Sequence, residues 1–402
     1  MHLMIFQPDL GGGHHVTHVR SIAKEALRRG WKVSLATSRE ATESLAFKGL
    51  VQDCGSTLQA IIVTGAPRRF SKTMLGLLVH QYRYFRFLYR AYRATLSIAR
   101  PDFVYLINLD PCDKVMPWLG SPFRQTPFGG VVMTVRFHHR DMGVLRARSR
   151  QNRLYGFFFR RLLAVRPLQF VATIDELLPV YCEKRHIARA RKVRYLPDIG
   201  ALNCSSTMSE ARRALSIPGG NIVILVYGQL RQNKGIDELL KAVYDPMCDQ
   251  SIIVLLAGTV TCDVEHTLAT APATALRATG RLRYVGGFLD DRCEADVFSA
   301  SDMVWVGYRG HHGMSGVMVQ AAVLGIPVIA CTEGLIGYFA RLHRIGEVVE
   351  VSVHRDIVAA LNRLAADPQL RASYGQRKDE FKAKHSTAAF GRSVCDLIAE
   401  QQ

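Results

Sequence analysis

The feature that most constrains this chain is an alternation of short apolar runs with helix-period stretches, which occurs twice. It begins with "MHLMIFQPDL", the loop "GGGHH", the helical "VTHVRSIAKEALRRG" and the strand "WKVSLATS". Further runs, "LQAIIVTG", "PDFVYLINLD", "GGVVMTV" and "LQFVATID", follow between helical stretches, and "KVRYLPDIG" closes the first half. After "ALNCSSTMSEARRALSIPGG" the pattern restarts with "NIVILVYG", "QSIIVLLAG", "RLRYVGGF", "DMVWVGY" and "IPVIAC". Strand, helix, strand in this rhythm builds a parallel sheet covered on both faces, because a parallel connection must cross back over the sheet. The expected class is therefore α/β: two Rossmann-like, doubly wound domains facing a central cleft, with ligands at the C-terminal ends of the strands.

Length agrees, since 402 residues exceed what one hydrophobic core usually organises. We expect a domain over 1–200, a second over 201–385 and a terminal helix over 386–402 returning to the first domain. With 48% apolar and 21% charged residues the chain has a folded protein's composition, not a disordered one's. Its apolar runs fall far short of the roughly 20 residues that span a bilayer, and the N-terminus does not read as a signal peptide. A cytoplasmic protein is expected. The nine cysteines stand singly without a C-x-x-C pair, so no metal or redox site is expected from them.

Charge is strongly partitioned. Residues 1–200 hold 32 Lys and Arg against 13 Asp and Glu, a net +19, whereas the remainder holds 20 against 21. The first half is therefore expected to meet something anionic: a membrane surface, a nucleic acid or an acidic substrate.

Two stretches of the second half point to a phosphate ligand. In "HHGMSGVMVQAAVLGIPVIA", Ser315 is a good N-cap, Gly325 a good C′ residue and Pro327 a stop, which brackets a helix over 316–324. Its free N–H groups, from Gly316 and Val317 onward, suit a phosphate, although Gly313, Ser315 and Gly316 also suit a plain tight turn. In "VYGQLRQNKGIDELL", Gly228, Arg231, Lys234 and Gly235 follow a strand, and paired cations over the same sheet edge suit a diphosphate.

In sequence order, "VYGQLRQNKGIDELLKAV", "IIVLLAG", "LRYVGGFLDD", "ADVFSASDMVWVGY", "SGVMVQAAVLGIPVIA" and "AADPQLRASYGQRKDEFKAKHS" resemble the C-terminal domain of the retaining nucleotide-sugar glycosyltransferases of the GT-B fold, the glycogen synthase-like and bacterial group 1 enzymes. The first half is similar more loosely, through "LGGGHHVTHV" with Gly12 and Gly13, "RPDFVYLINLD" and "KVRYLPDIG". The resemblance implies an acceptor-binding first domain and a donor-binding second domain. It also implies metal-independent transfer with no cofactor, the nucleotide diphosphate-sugar being a substrate. Two family glutamates, eight positions apart, fall on His312 and Gln320; an amide at 320 still suits a ribose, while His312 alters charge beside the donor sugar. Lys234 matches the family lysine, but the family arginine falls on Gln229, leaving Arg231 as the nearest cation. A family histidine near the donor sugar corresponds to His138 or His139, with Arg136 nearer the expected position.

His14 and His15 open a different route, because inverting relatives often keep a general base after the first glycine loop. Against that, the longer resemblance is to retaining enzymes, in which the donor phosphate assists the acceptor and Arg231 and Lys234 stabilise the leaving group.

The basic half carries two arginine and aromatic clusters. Arg83, Arg86, Arg90 and Arg93 follow helical spacing beside Tyr82, Phe85, Tyr89 and Tyr92, and Arg160 and Arg161 adjoin Phe157, Phe158 and Phe159. Such helices suit an anionic membrane interface, where a lipid-linked or glycan acceptor would be presented. The expected protein is a glycosyltransferase of envelope or exopolysaccharide synthesis, peripheral to the inner face of the cytoplasmic membrane. A nucleic-acid-binding protein, and a GT-B-fold epimerase or non-catalytic sugar-nucleotide binder, are the competing readings; no nucleic-acid-binding motif is present.

Overall fold

The structure, a computed structural model, describes residues 1–9, 14–65, 73–145, 150–200, 202, 204, 206–287 and 289–401. Its first unit comprises Met1–Ile199 and Ser386–Gln402, and its second Gly200–His385.

The first unit is built on seven strands: β1 (His2–Phe6), β2 (Lys32–Ser38), β3 (Leu58–Val63), β4 (Phe103–Leu106), β5 (Phe128–Val132), β6 (Leu168–Thr173) and β7 (Val193–Tyr195). They pair in parallel in the order β3-β2-β1-β4-β5-β6-β7. Every residue of β1, β4 and β5 is buried, as expected of strands covered on both faces. Six strands organise the second unit: β8 (Ile222–Tyr227), β9 (Ile252–Gly258), β10 (Leu282–Gly286), β11 (Met303–Val306), β12 (Val328–Cys331) and β13 (Gly346–Val349). Their order is β10-β9-β8-β11-β12-β13, again parallel. The expectation missed β13, because this edge strand is four residues long and buries only Val349 fully, so its apolar pattern is faint.

In both sheets the order reverses beside the first strand, between β1 and β4 and between β8 and β11. Connections leave in opposite directions at such a point, opening a crevice at the C-terminal strand ends. Among the described residues, no helix is long and apolar enough to cross a membrane.

The Thr387–Ala399 helix belongs to the first unit, although the second unit separates it in sequence from the rest. Phe390 is buried and stacks on the His18 ring at 4.4 Å, and His18 Nε2 lies 3.1 Å from Asp198 Oδ1. Gly391 lets this helix approach the His14–Arg28 helix, since a Cβ there would strike the Ser21 carbonyl. The contact edge carries Arg29 on Asp396 at 2.7 Å and Arg194 on Glu400 at 2.9 Å. Exposed pairs of this kind contribute little, so the buried ring holds the helix. Phe390→Ala should destabilise the first unit by about 3–5 kcal/mol, the usual cost of deleting a buried aromatic ring. Urea unfolding followed by circular dichroism checks this, and an unchanged midpoint would contradict it.

Candidate functional site

The site is assembled at the C-terminal ends of β8 and β11. Past β8 the chain turns at Gly228, whose φ is +93°, and a Cβ on Gly258 would strike the Gly228 carbonyl, so the ends of β8 and β9 touch backbone to backbone. The loop continues through Arg231 into a single 3-10 turn, Gln232–Lys234. Three contacts hold that turn. Trp305 Nε1 donates to the Lys234 carbonyl at 2.7 Å, Arg309 N donates to Asn233 O at 2.7 Å, and Gln232 N donates to Asp263 Oδ2 at 2.9 Å.

Lys234 folds back beneath its own loop. Its Nζ donates to the Tyr227 carbonyl and lies 5.3 Å from the centre of the Tyr308 ring. Among the described residues no carboxylate pairs with it, and Arg231 is the nearby charge. Burial, with Arg231 adding to it, lowers its pKa to about 8. A partly dehydrated cation with a carbonyl and an aromatic face for company remains able to take an anion.

Tyr308 connects this cation to the helix mouth. Ser315 Oγ donates to Tyr308 Oη at 3.5 Å, and burial pushes the Tyr308 phenol up to about 12, so it stays neutral. The helix spans Gly316–Leu324, within the expected bounds; Ser315 caps it by accepting from Met318 N at 3.4 Å, and Gly325 ends it in the left-handed region. The cap leaves the amides of Gly316 and Val317 with no partner among the described residues, aimed along the helix dipole. His311 Nε2 lies 3.2 Å from Met314 O, bracing the preceding turn, and the His312 carbonyl accepts from Leu335 N at 3.2 Å.

Gln320 lies on the buried side of this helix, and its Nε2 donates to Glu294 Oε1 at 2.8 Å. Glu294 belongs to the Asp291–Ser299 helix and also holds the Tyr227 hydroxyl; burial, reinforced by this carboxylate, raises that phenol well above its usual range. A carboxylate is therefore present beside position 320, contributed by another helix. Sequence reasoning did not single out Glu294 or Tyr308: Tyr308 closes the stretch "ADVFSASDMVWVGY" and Glu294 immediately precedes it, and only the fold brings them to the loop.

The first unit presents a different cluster. His138 and His139 follow β5, Asp175 follows β6, and both imidazole Nε2 atoms meet Asp175 Oδ2, at 2.8 and 2.7 Å. All three residues are buried, and they form the one group with metal-ligand geometry among the described residues. Burial lowers the His138 pKa and outweighs the pull of Asp175. Although burial pushes Asp175 up, the hydrogen bonds from His138 and His139 more than offset it and keep its carboxyl well below the usual range. The expectation of His138 at a donor sugar meets a ring that is fully enclosed and already paired; Arg136 nearby is exposed. His15 Nδ1 lies 3.1 Å from Gln7 Nε2 just beyond β1. Gly12 and Gly13 lie outside the described residues.

The arginines assigned to a surface are on one. Arg83, Arg86, Arg90 and Arg93 are exposed along the Met74–Leu96 helix, and Phe157 and Arg160 along the Arg150–Leu163 helix. The aromatic stripe is divided, however: Tyr82 is exposed, Phe85 and Tyr89 are half-buried, and Tyr92 belongs to the core.

The profile of the family described as Glycosyl transferases group 1 matches residues 207–381, inside the second unit. A D-inositol 3-phosphate glycosyltransferase from Rhodococcus erythropolis is 27% identical over 186 residues, 44% of this chain. That match spans only 41% of the curated relative's length. Among solved structures, sucrose-phosphate synthase from Thermosynechococcus elongatus aligns with a TM-score of 0.73 at 16% identity, covering 100% of this chain and 99% of its own. HepE from Anabaena, solved in complex with UDP and glucose, aligns at 0.68 and 15% identity over 100% of both chains. At such identities the structural likeness speaks for the fold. The second unit is thus similar to the group 1 glycosyl transferases, whose profile spans less than half of the chain, and the two α/β units have the GT-B fold.

Proposed function

We propose that this chain transfers a sugar from a nucleotide diphosphate-sugar to a hydroxyl of a glycan or lipid-linked acceptor in envelope or exopolysaccharide synthesis, with retention of configuration and without a metal. The observation that carries the reading is Lys234, enclosed with no carboxylate partner among the described residues and joined through Tyr308 to a capped helix N-terminus. A diphosphate placed there meets the ammonium, the Arg231 guanidinium and the amides of Gly316 and Val317. The Glu294–Gln320 pair offers acceptors and a donor for the ribose hydroxyls. In the step we propose, the bond from the anomeric carbon to the diphosphate oxygen breaks and the acceptor oxygen bonds to that carbon. The acceptor proton passes to the departing phosphate, whose charge Lys234 and Arg231 neutralise.

For the acceptor side we propose an anionic membrane face on the first unit. Leu75, Val79 and Tyr82 are exposed on the same stripe of the Met74–Leu96 helix as Arg83, Arg86, Arg90 and Arg93, while Tyr84, Phe87, Leu88 and Ala91 fill the core. Apolar residues followed by a row of arginines suit a helix lying in a headgroup layer.

Removing the site cation gives the first test. Lys234→Met should weaken nucleoside diphosphate binding about 10- to 100-fold, as expected for loss of a charged hydrogen bond, measured by calorimetry in EDTA. The unliganded variant should be no less stable than the parent, because a desolvated charge is gone. The pH dependence has a definite sign. With a folded pKa of about 8, below the unfolded value, the unfolded chain binds more protons between the two. Stability from this group therefore rises with pH across that window, and the variant should lack the rise. Undiminished affinity in the variant would refute the site. For the membrane face, Arg86→Glu with Arg90→Glu should reduce sedimentation with phosphatidylglycerol vesicles about tenfold or more at low salt, and full retention would refute it.

A further inference from the structure

At the opposite edge of the first sheet, where strands begin, lies an open cavity of about 540 Å³ lined by Trp118, Ser121, Arg124, Arg161, Arg166 and Pro167, among others. Arg124 precedes β5 and Arg166 precedes β6, so this cavity is at the N-terminal strand ends, away from the edge that carries the His138, His139 and Asp175 cluster. Among the described residues no acidic one lines it, and none of its three guanidinium groups is paired with a carboxylate.

An arginine in the last turn of a helix answers the carbonyl ends there, which accounts for Arg161. Arg124 and Arg166 stand outside helices and have no such reason to converge. Arg124 also takes a left-handed conformation, with φ +54°, in a tight turn anchored by the buried Phe123 and by Thr126, whose hydroxyl lies 2.8 Å from Tyr92 Oη. That turn is fixed from below by the core. On its outer side Arg124 and then Arg93 hydrogen-bond the Tyr89 hydroxyl and keep its pKa below the ordinary value. The arginine row of the Met74–Leu96 helix therefore reaches the cavity through Arg93, Tyr89 and Arg124, and the second basic cluster enters it as Arg161.

The cavity has an apolar lip. Trp118 is 61% exposed, the Arg161 guanidinium lies over its ring at 5.4 Å, and Phe157, 41% exposed, packs 6.3 Å from it. Leu119 is exposed alongside. Indole at a charged rim suits the boundary between headgroups and acyl chains.

We propose that this cavity is a binding site for the phosphate of an anionic phospholipid headgroup, with Arg124, Arg161 and Arg166 around the phosphate and Trp118 and Phe157 against the adjoining acyl chains. The proposal deepens the membrane face described above and rests on it for the presence of a bilayer. Guanidinium groups grip a phosphodiester through paired N–H bonds, which a diffuse positive surface does not.

The test uses the full chain and dihexanoyl phosphatidylglycerol below its micelle concentration, so that no membrane surface exists to attract the arginine row. Calorimetry should show saturable binding, weakened about tenfold or more by Arg124→Gln with Arg166→Gln. Both positions are exposed, and an unchanged melting temperature confirms that the variant is folded. Trp118→Ser should weaken the lipid but not sn-glycerol 3-phosphate, which has no acyl chains. Absence of lipid binding by the unaltered chain, or equal binding by the double variant, overturns the site. Glycerol phosphate binding as tightly as the lipid overturns the lipid assignment in favour of a soluble phosphate ester. Arg86→Glu with Arg90→Glu should leave the monomeric lipid bound, so failure of the membrane face and failure of the cavity give different patterns.

Discussion

The proposed donor site depends on the placement of one ammonium group. Lys234 is drawn under its own loop by the Tyr227 carbonyl and the Tyr308 ring, and among the described residues no carboxylate accompanies it. Ion pairing would be the cheaper arrangement for a partly buried cation, since removing a charge from water without a partner is costly. In the proposed function, the arrangement keeps a charge whose neutralisation is deferred until the ligand brings it. The amides of Gly316 and Val317, without a partner among the described residues, have the same character, and Tyr308 links the two through Ser315.

The scaffold explains why these groups meet. The loop bearing Lys234 leaves β8 and the segment bearing Tyr308 leaves β11, and those strands are neighbours only because the sheet order reverses there. Close backbone packing keeps the geometry from relaxing: Gly258 lies against the Gly228 carbonyl and Gly235 against that of Gly307, positions where any side chain would collide. Trp305, fully buried in β11, reaches the Lys234 carbonyl with its indole and ties the loop to the core. The site is thus held by strands and not by the loop alone, which favours preorganised binding of charge.

Much of this was legible in the sequence, for physical reasons. Period-2 and period-3.6 apolar patterns announced two parallel sheets, and Ser315, Gly325 and Pro327 bracketed a helix that the structure has at Gly316–Leu324. Lys234 and Ser315 were legible because each sits at a fixed offset from a strand or a helix start. Tyr308 and Glu294 were not, since their roles arise from contacts across the sheet edge that no local pattern encodes. Gln320 read as an amide still suited to a ribose, but nothing in the sequence tied it to Glu294, which brings a carboxylate to it from another helix. His138 misled in the opposite way: a histidine after a strand resembles a ligand-facing group, but here it is enclosed with His139 on one oxygen of Asp175. The two basic clusters read as separate stripes because Arg124, which lies between them in space, is alone in its stretch of sequence.

The central claim is that Lys234 waits for a diphosphate. The direct measurement is an NMR titration of the Lys234 side chain, assigned by comparison with Lys234→Met, without ligand and with saturating UDP or another nucleoside diphosphate. The account predicts a pKa of about 8 in the free protein and an upward displacement in the complex, because a bound diphosphate favours the charged amine. An ordinary lysine pKa in the free protein, or one that no nucleoside diphosphate moves, would contradict it.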